Sequence, residues 1–247
     1  MILNNKLNVI KSFFRDTRRN NLLPPRKAYE IWAECYDNEK DNLILYYDEI
    51  ILKKLMGIGN LSDKTILDFG SGTGRNWNEI IQHHPRKIIG CDISPEMITK
   101  LKKKFPDSET YIIKDEKLDF LKEKECDTII STLVISHIKD IKKLFLEWNR
   151  VMKDNGDIII TDFHPDLFVK GGSRTFKFEE KTYTVEHYIH EVPLIIEMFL
   201  TMGFRKVNFI EKLIDEEVKS FYLKKNALHI YERFKGIPFI YGLLLRR

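Results

Sequence analysis

Cysteine is scarce in this chain. Its 247 residues hold three, Cys35, Cys91 and Cys126, odd in number, far apart and without a C-x-x-C pair. That excludes a disulfide framework and fits a reducing cytoplasm. Long apolar runs are lacking as well. None approaches the roughly 18 residues of a membrane span, and Lys6, Lys11 and Arg15 interrupt the stretch where a signal peptide needs a clean apolar core. Neither sign of charge is in large excess: 41 basic residues face 37 acidic ones, a net of +4, so no strong nucleic-acid signal follows. No repeat or low-complexity tract interrupts the sequence. What the chain does have is 43% hydrophobic residues, over a length suited to one large domain or a domain with a lid.

Glycine numbers only twelve, yet three fall within five residues: Gly70, Gly72 and Gly74. They follow a short apolar run, Ile66-Leu67, that ends in Asp68, and a helical stretch follows over 76–83. Strand, glycine turn and helix together make a pocket at the carboxyl edge of an α/β sheet. The spacing is not G-x-G-x-x-G: the third glycine comes one residue early, and Arg75 holds the place of the last fingerprint glycine. That glycine lets helix and strand pack closely under a pyrophosphate, so its absence argues against NAD or FAD. A second apolar strand, 87–92, ends in Asp92, 20 positions beyond Gly72. A carboxylate there can accept hydrogen bonds from both ribose hydroxyls of an adenosine. Further strands are expected over 110–114, 126–133 and 157–163, with a turn at Asp154-Asn155-Gly156 before the last of these. The alternation with helices over 66–163 is that of a doubly wound, mostly parallel sheet.

Asp68, Gly70, Gly72 and Gly74 together resemble motif I of the class I S-adenosylmethionine (SAM) methyltransferases, small-molecule type. Tyr29, Trp32, Ala33 and Tyr36, spaced i, i+3, i+4, i+7, are similar to the Y-x-x-W/F-A-x-x-Y-D segment that precedes motif I in that family. Val134-Ile135-Ser136-His137-Ile138 resembles motif IV. The resemblance implies an α/β fold: a seven-stranded, mostly parallel sheet with an antiparallel last strand, the 239–245 strand between the fifth and sixth. It implies an N-terminal helical cap over 1–60, and a SAM-binding domain over 61–247 with a lid inserted at 164–190. SAM would be framed by Asp68, Gly70, Ser71 and Gly72, with Asp92 on the ribose and Ile93 and Met97 beside it. Asp115 and Glu116 would reach the adenine edge, and Ser131 and Leu133 would lie under the methionine end. Tyr36 would reach that end too, with Tyr29 and Trp32 next to it. The product would be S-adenosyl-L-homocysteine (SAH) and the partner a small-molecule acceptor.

Methyl transfer from a sulfonium is an in-line displacement that needs alignment, exclusion of water and in some cases a base. Three histidines fall at the expected mouth: His137, His164 and His190. Any one of them could serve as base or orient the acceptor, with Asp162 and Asp166 as alternative acids. His164, His187 and His190 could gather around a metal, but no cysteine or acid at ligand spacing accompanies them, so no metal is expected. Two further alternatives stand. One is a peptide, protein or RNA methyltransferase, although Ser131-Thr132-Leu133-Val134 lacks the Asn/Asp-Pro-Pro-Tyr/Phe motif of amino-group methylation. The other is a nicotinamide-dependent oxidoreductase. An amphipathic helix is expected over 1–20, a helix over 43–56 ended by Gly57 and Gly59, a hairpin over 174–185, and a helical insertion over 215–234.

Overall fold

The computed structural model describes residues 21–38 and 42–247, so the helix expected over 1–20 lies outside the described residues. The main sheet is built from β2 (Thr65–Phe69), β3 (Lys87–Asp92), β4 (Glu109–Ile112), β5 (Cys126–Thr132), β6 (Met152–Phe163), β9 (Arg205–Leu213) and β10 (Pro238–Arg246). Their spatial order is β4-β3-β2-β5-β6-β10-β9. The first five pair in parallel, while β10 runs antiparallel between β6 and β9. The order reverses beside β2, and such a switch point opens a crevice outside the strand ends.

Alternation along the strands sorts side chains onto two faces. Ile66, Ile130, Ile159, Ile240 and Leu244 join one core with helix α2 (Leu43–Gly59). Leu67, Ile129, Ile158, Ile160 and Leu243 join the other with α5 (Ile141–Val151) and α7 (Val192–Thr201). With both faces covered, the strands read as apolar runs rather than as alternating ones. α3 (Trp77–Gln82) and α4 (Pro95–Lys104) join the first core through Trp77, Ile80 and Leu101, as does the insertion, which forms α8 (Glu216–Lys224) and α9 (Leu228–Phe234).

Two boundaries differ from expectation. α2 continues through Gly57 and Gly59 to a cap at Asn60, which takes the positive φ of 50°. Its buried stripe from Leu43 to Met56 holds the helix on the sheet, and that packing outweighs two glycines. β6 starts at Met152, and Asp154-Asn155-Gly156 forms an irregularity inside the strand: Cys126 pairs with Met152 and Thr128 already with Asp157.

A second, three-stranded sheet sits over the carboxyl edge. The hairpin β7 (Thr175–Phe178) and β8 (Lys181–Val185) pairs along β8 with β1 (Leu22–Leu23), in register Leu22↔Thr184 and Leu23↔Val185. α1 (Pro25–Trp32) packs on it. Ala28, Trp32, Phe176 and Val185 form a separate small core, with the Trp32 and Phe176 rings stacked at 4.7 Å. The cap therefore combines residues 21–38 with the hairpin. α2, expected as part of the cap, packs instead on the sheet, where Asp48 accepts hydrogen bonds from Arg75 and Thr161.

Candidate functional site

β2 delivers the chain to the switch point at Phe69 and the glycine turn follows. Gly70 has φ 75°, and a Cβ there would lie 2.3 Å from the Val134 side chain, so only glycine lets the turn pass under the loop after β5. A Cβ at Gly72 would meet nothing within 4 Å, because the space above it is a cavity. That cavity has a volume of about 300 Å³. One end is walled by Gly70, Gly72, Asp92, Ile93 and Met97, with Asp115 and Glu116 of the loop after β4 beside them. The other end is walled by Thr132, Leu133 and His137 from below, and by Tyr29, Tyr36 and Tyr188 from the cap. Leu133 takes a positive φ of 59°, a strained position for a leucine at the mouth of a site.

Asp92 lies at the tip of β3 as its sequence position implies. Its Oδ2 accepts from Gly72 N at 2.8 Å and its Oδ1 from Ser94 N at 2.8 Å. Burial pushes its carboxyl up to about 6, against the pull of those N–H donors. Asp115 is exposed and caps its own turn by accepting from Lys117 N at 2.9 Å.

On the cap side, Tyr29 Oη and His137 Nε2 lie 3.0 Å apart, and His137 Nδ1 lies 2.9 Å from the Glu186 carbonyl. Burial, reinforced by the nearby Arg174 charge, pushes His137 down to about 3. Its imidazole is neutral at physiological pH, so it suits hydrogen bonding better than free proton storage. Arg174, 1% exposed, places its guanidinium over the Tyr29, Trp32 and Phe163 rings at 5.8, 5.0 and 5.3 Å. Behind it, Asp162 accepts from Ser136 N and Oγ and is itself pushed up to about 6 by burial.

The three histidines do not converge. His164 lies off the cavity, where it caps α6 (Pro165–Val169) by accepting from Asp166 N at 3.2 Å, and it lies 3.4 Å from Glu211. His190 donates to the Ile138 carbonyl at 2.7 Å and lines a small separate recess. His187 stacks on Phe168. Four residues expected around SAM sit behind the wall. Asp68 accepts from Trp77 Nε1 at 2.7 Å and braces the turn from below. Trp32 belongs to the core of the cap. Ser71 and Ser131 are buried, each with its hydroxyl unpartnered among the described residues. The sequence reading missed Arg174, Tyr188, Lys114 and Lys139. Lys114 and Lys139 line the cavity from positions that flank expected site segments, Tyr188 lines it from the loop after β8, and Arg174 enters just before β7, where its carbonyl accepts from Val185 N.

A family model described as "Methyltransferase domain" matches residues 67–160. Curated relatives include an uncharacterized protein of Haemophilus influenzae, 29% identical over 64% of this chain and 67% of its own. A malonyl-[acyl-carrier protein] O-methyltransferase of Marinomonas sp. is 24% identical over 55% of this chain and 50% of its own. Matches to such relatives take in 38 to 67% of their lengths. Among solved structures, a putative S-adenosylmethionine dependent methyltransferase from Listeria monocytogenes superposes with a TM-score of 0.61 at 18% identity. It covers 82% of this chain and 99% of that one, a likeness of fold.

Proposed function

We propose that this chain, which carries a methyltransferase domain on the class I fold, transfers the methyl group of SAM to a small-molecule acceptor. The observation that carries the reading is a single cavity with two chemically distinct ends. One end pairs an adenosine-type carboxylate, Asp92, with an open glycine turn. The other brings three tyrosines down from the cap and an imidazole up from the loop after β5.

The residues present fit SAM. Asp92 would accept from the ribose hydroxyls, Asp115 and Glu116 would face the adenine edge, and the space above Gly72 leaves backbone open to the ligand. Tyr36, Thr132 and Leu133 would border its methionine end. Bound there, SAM supplies a sulfonium methyl whose carbon–sulfur bond breaks, its electron pair kept by sulfur, as the acceptor's lone pair takes the carbon. This chain's own part is to align and to dehydrate. Tyr29, Tyr188 and Pro25 roof the acceptor end, which excludes water and fixes the line of approach. His137 holds the Tyr29 hydroxyl in place.

The test is to incubate the protein with methyl-labelled SAM and three fractions of the cells that make it: small molecules, RNA and protein. Label in the small-molecule fraction supports the proposal. Label confined to RNA or protein replaces it with a macromolecular acceptor.

A further inference from the structure

The polarity of one hydrogen-bond chain at the acceptor end is fixed by its last member. The Glu186 carbonyl can only accept, so His137 Nδ1, 2.9 Å away, carries a hydrogen. In a neutral ring Nε2 is then the acceptor, and Tyr29, 3.0 Å away, spends its only O–H on it. Tyr29 Oη is left with lone pairs alone to offer the cavity that its ring lines.

We propose that the methyl acceptor presents an N–H or O–H nucleophile, as an amine or a hydroxyl compound does, and donates that hydrogen to Tyr29 Oη; a carboxylate acceptor meets an oxygen there and is refused. The inference rests on the methyl-transfer reading for what occupies the cavity, and goes beyond it in naming the class of acceptor.

The polarity reverses only if His137 becomes an imidazolium, for then Nε2 donates and Tyr29 accepts. The surroundings oppose that on balance, burial most of all. Arg174, entering β7, keeps its charge over the Tyr29 ring. Burial acts with it, and His187 after β8 adds to the opposition. Asp162 of β6, the acid on the far side of Arg174, spends its oxygens on Ser136 and the Phe163 amide. The Glu186 carbonyl, accepting from Nδ1, pulls the other way and is outweighed. Arg174 is thus a positioning residue, acting on the acceptor through His137 and Tyr29.

With a hydroxyl acceptor, the oxygen lone pair forms the bond to the methyl carbon. The O–H proton passes to Tyr29 Oη, and the Tyr29 proton passes to His137 Nε2. A protonated ether is a far stronger acid than even this suppressed imidazolium, so the transfer runs downhill, and the imidazolium later sheds its proton to water. With a neutral amine, the nitrogen lone pair forms the bond, and the methylammonium product carries its proton out.

Two measurements test the proposal. The first is nitrogen NMR of the whole protein with ¹⁵N-labelled histidine, the His137 signals assigned by their loss in His137→Asn. The expected result is a neutral ring with hydrogen on Nδ1 throughout pH 5.5–8. Hydrogen on Nε2, or an imidazolium at neutral pH, overturns the proposal. Arg174→Met is expected to raise the His137 midpoint by a unit or more, and Arg174→Lys to leave it low. A folded Arg174→Met with an unmoved midpoint removes Arg174 from the argument.

The second measurement uses methyl-labelled SAM and the small-molecule fraction, with the product then treated with mild alkali. Ethers and N-methyl products keep their label, which is the expected outcome. A methyl ester releases it as volatile methanol, and that outcome overturns the proposal. If no label is transferred to any fraction, the methyl-transfer reading fails instead, while the NMR result still decides the polarity. Tyr29→Phe is expected to lower kcat about tenfold or more, the scale of a lost hydrogen bond at a reacting group, with SAH affinity unchanged within twofold. An unchanged kcat counts against the contact.

Discussion

Gly72 N and Ser94 N both donate to the Asp92 carboxylate, yet burial still holds its proton up to about 6. Ligand hydroxyls that donate to it favour the ionised form, so binding and deprotonation are linked. The sign follows: SAH affinity is full above about pH 7 and falls as the pH drops through 6 to 5, where Asp92 takes up a proton. Asp92→Ala is expected to weaken SAH by about 1–3 kcal/mol at pH 7.5, the range for a lost hydrogen bond to a charged group, and to flatten the pH dependence. Calorimetry at pH 5, 6 and 7.5 reads both; equal affinity in the mutant takes Asp92 out of the site. Gly74 makes a different residue-scale demand. Its φ is 72°, and a Cβ there would lie 3.0 Å from the Leu101 side chain and 3.2 Å from Phe105. Gly74→Ala is expected to cost about 1–3 kcal/mol in urea unfolding, as overpacking does, and a neutral result would show that α4 can shift to make room. The position of Asp92 on the cavity wall was legible in the sequence, because it ends an apolar strand that follows the glycine turn. The state of His137 was not legible: its position was, but its neutrality comes from burial and the Arg174 charge, and its tautomer from the Glu186 carbonyl, and these two residues, 37 and 49 positions along the chain, reach it only through the fold.

Among the elements, the cap departs furthest from what the sequence suggests. The strands of the main sheet are apolar runs that packing on both faces demands, and their order follows from the βαβ alternation. The hairpin was legible too, from its alternation about a short polar turn. That its β8 pairs with Leu22–Leu23, some 160 residues earlier, has no local signature, and neither does the role of Arg174, since an arginine beside a Gly-Gly-Ser turn reads as solvated. The cap's core is small, so single rings weigh heavily in it. Trp32 is 1% exposed and stacks on Phe176. Trp32→Ala is expected to remove about 3–5 kcal/mol, the usual loss for a buried aromatic. The loss should fall on the cap: amide exchange across 182–185 speeds up while 158–161 in β6 stays protected. Equal acceleration in both would mean that cap and sheet open as one unit.

Across the whole molecule, the cavity has walls from two separately packed bodies. The main sheet carries two large cores, and the cap carries one of its own. Polar ties across the seam include Tyr29 to His137, Tyr188 N to the Ser136 carbonyl at 2.7 Å, and Asp37 to Thr73 and Lys104 at 2.6 and 3.0 Å. The Asp37–Lys104 pair is partly solvated and contributes little on its own. A body held by a small core and a few polar ties opens at lower free energy than the sheet beneath it. A ligand touching both walls adds its binding energy to the closed form, because it binds that form and not the open one. SAH is therefore expected to slow amide exchange in the glycine turn, 69–74, and in the cap over 25–36 and 182–188 together, with α8 and α9 unchanged, since they pack far from the cavity lining. Protection of the turn with no change in the cap would mean that the cofactor fills its end without help from above. The roof would then close only over the acceptor, and the order of binding would be cofactor first.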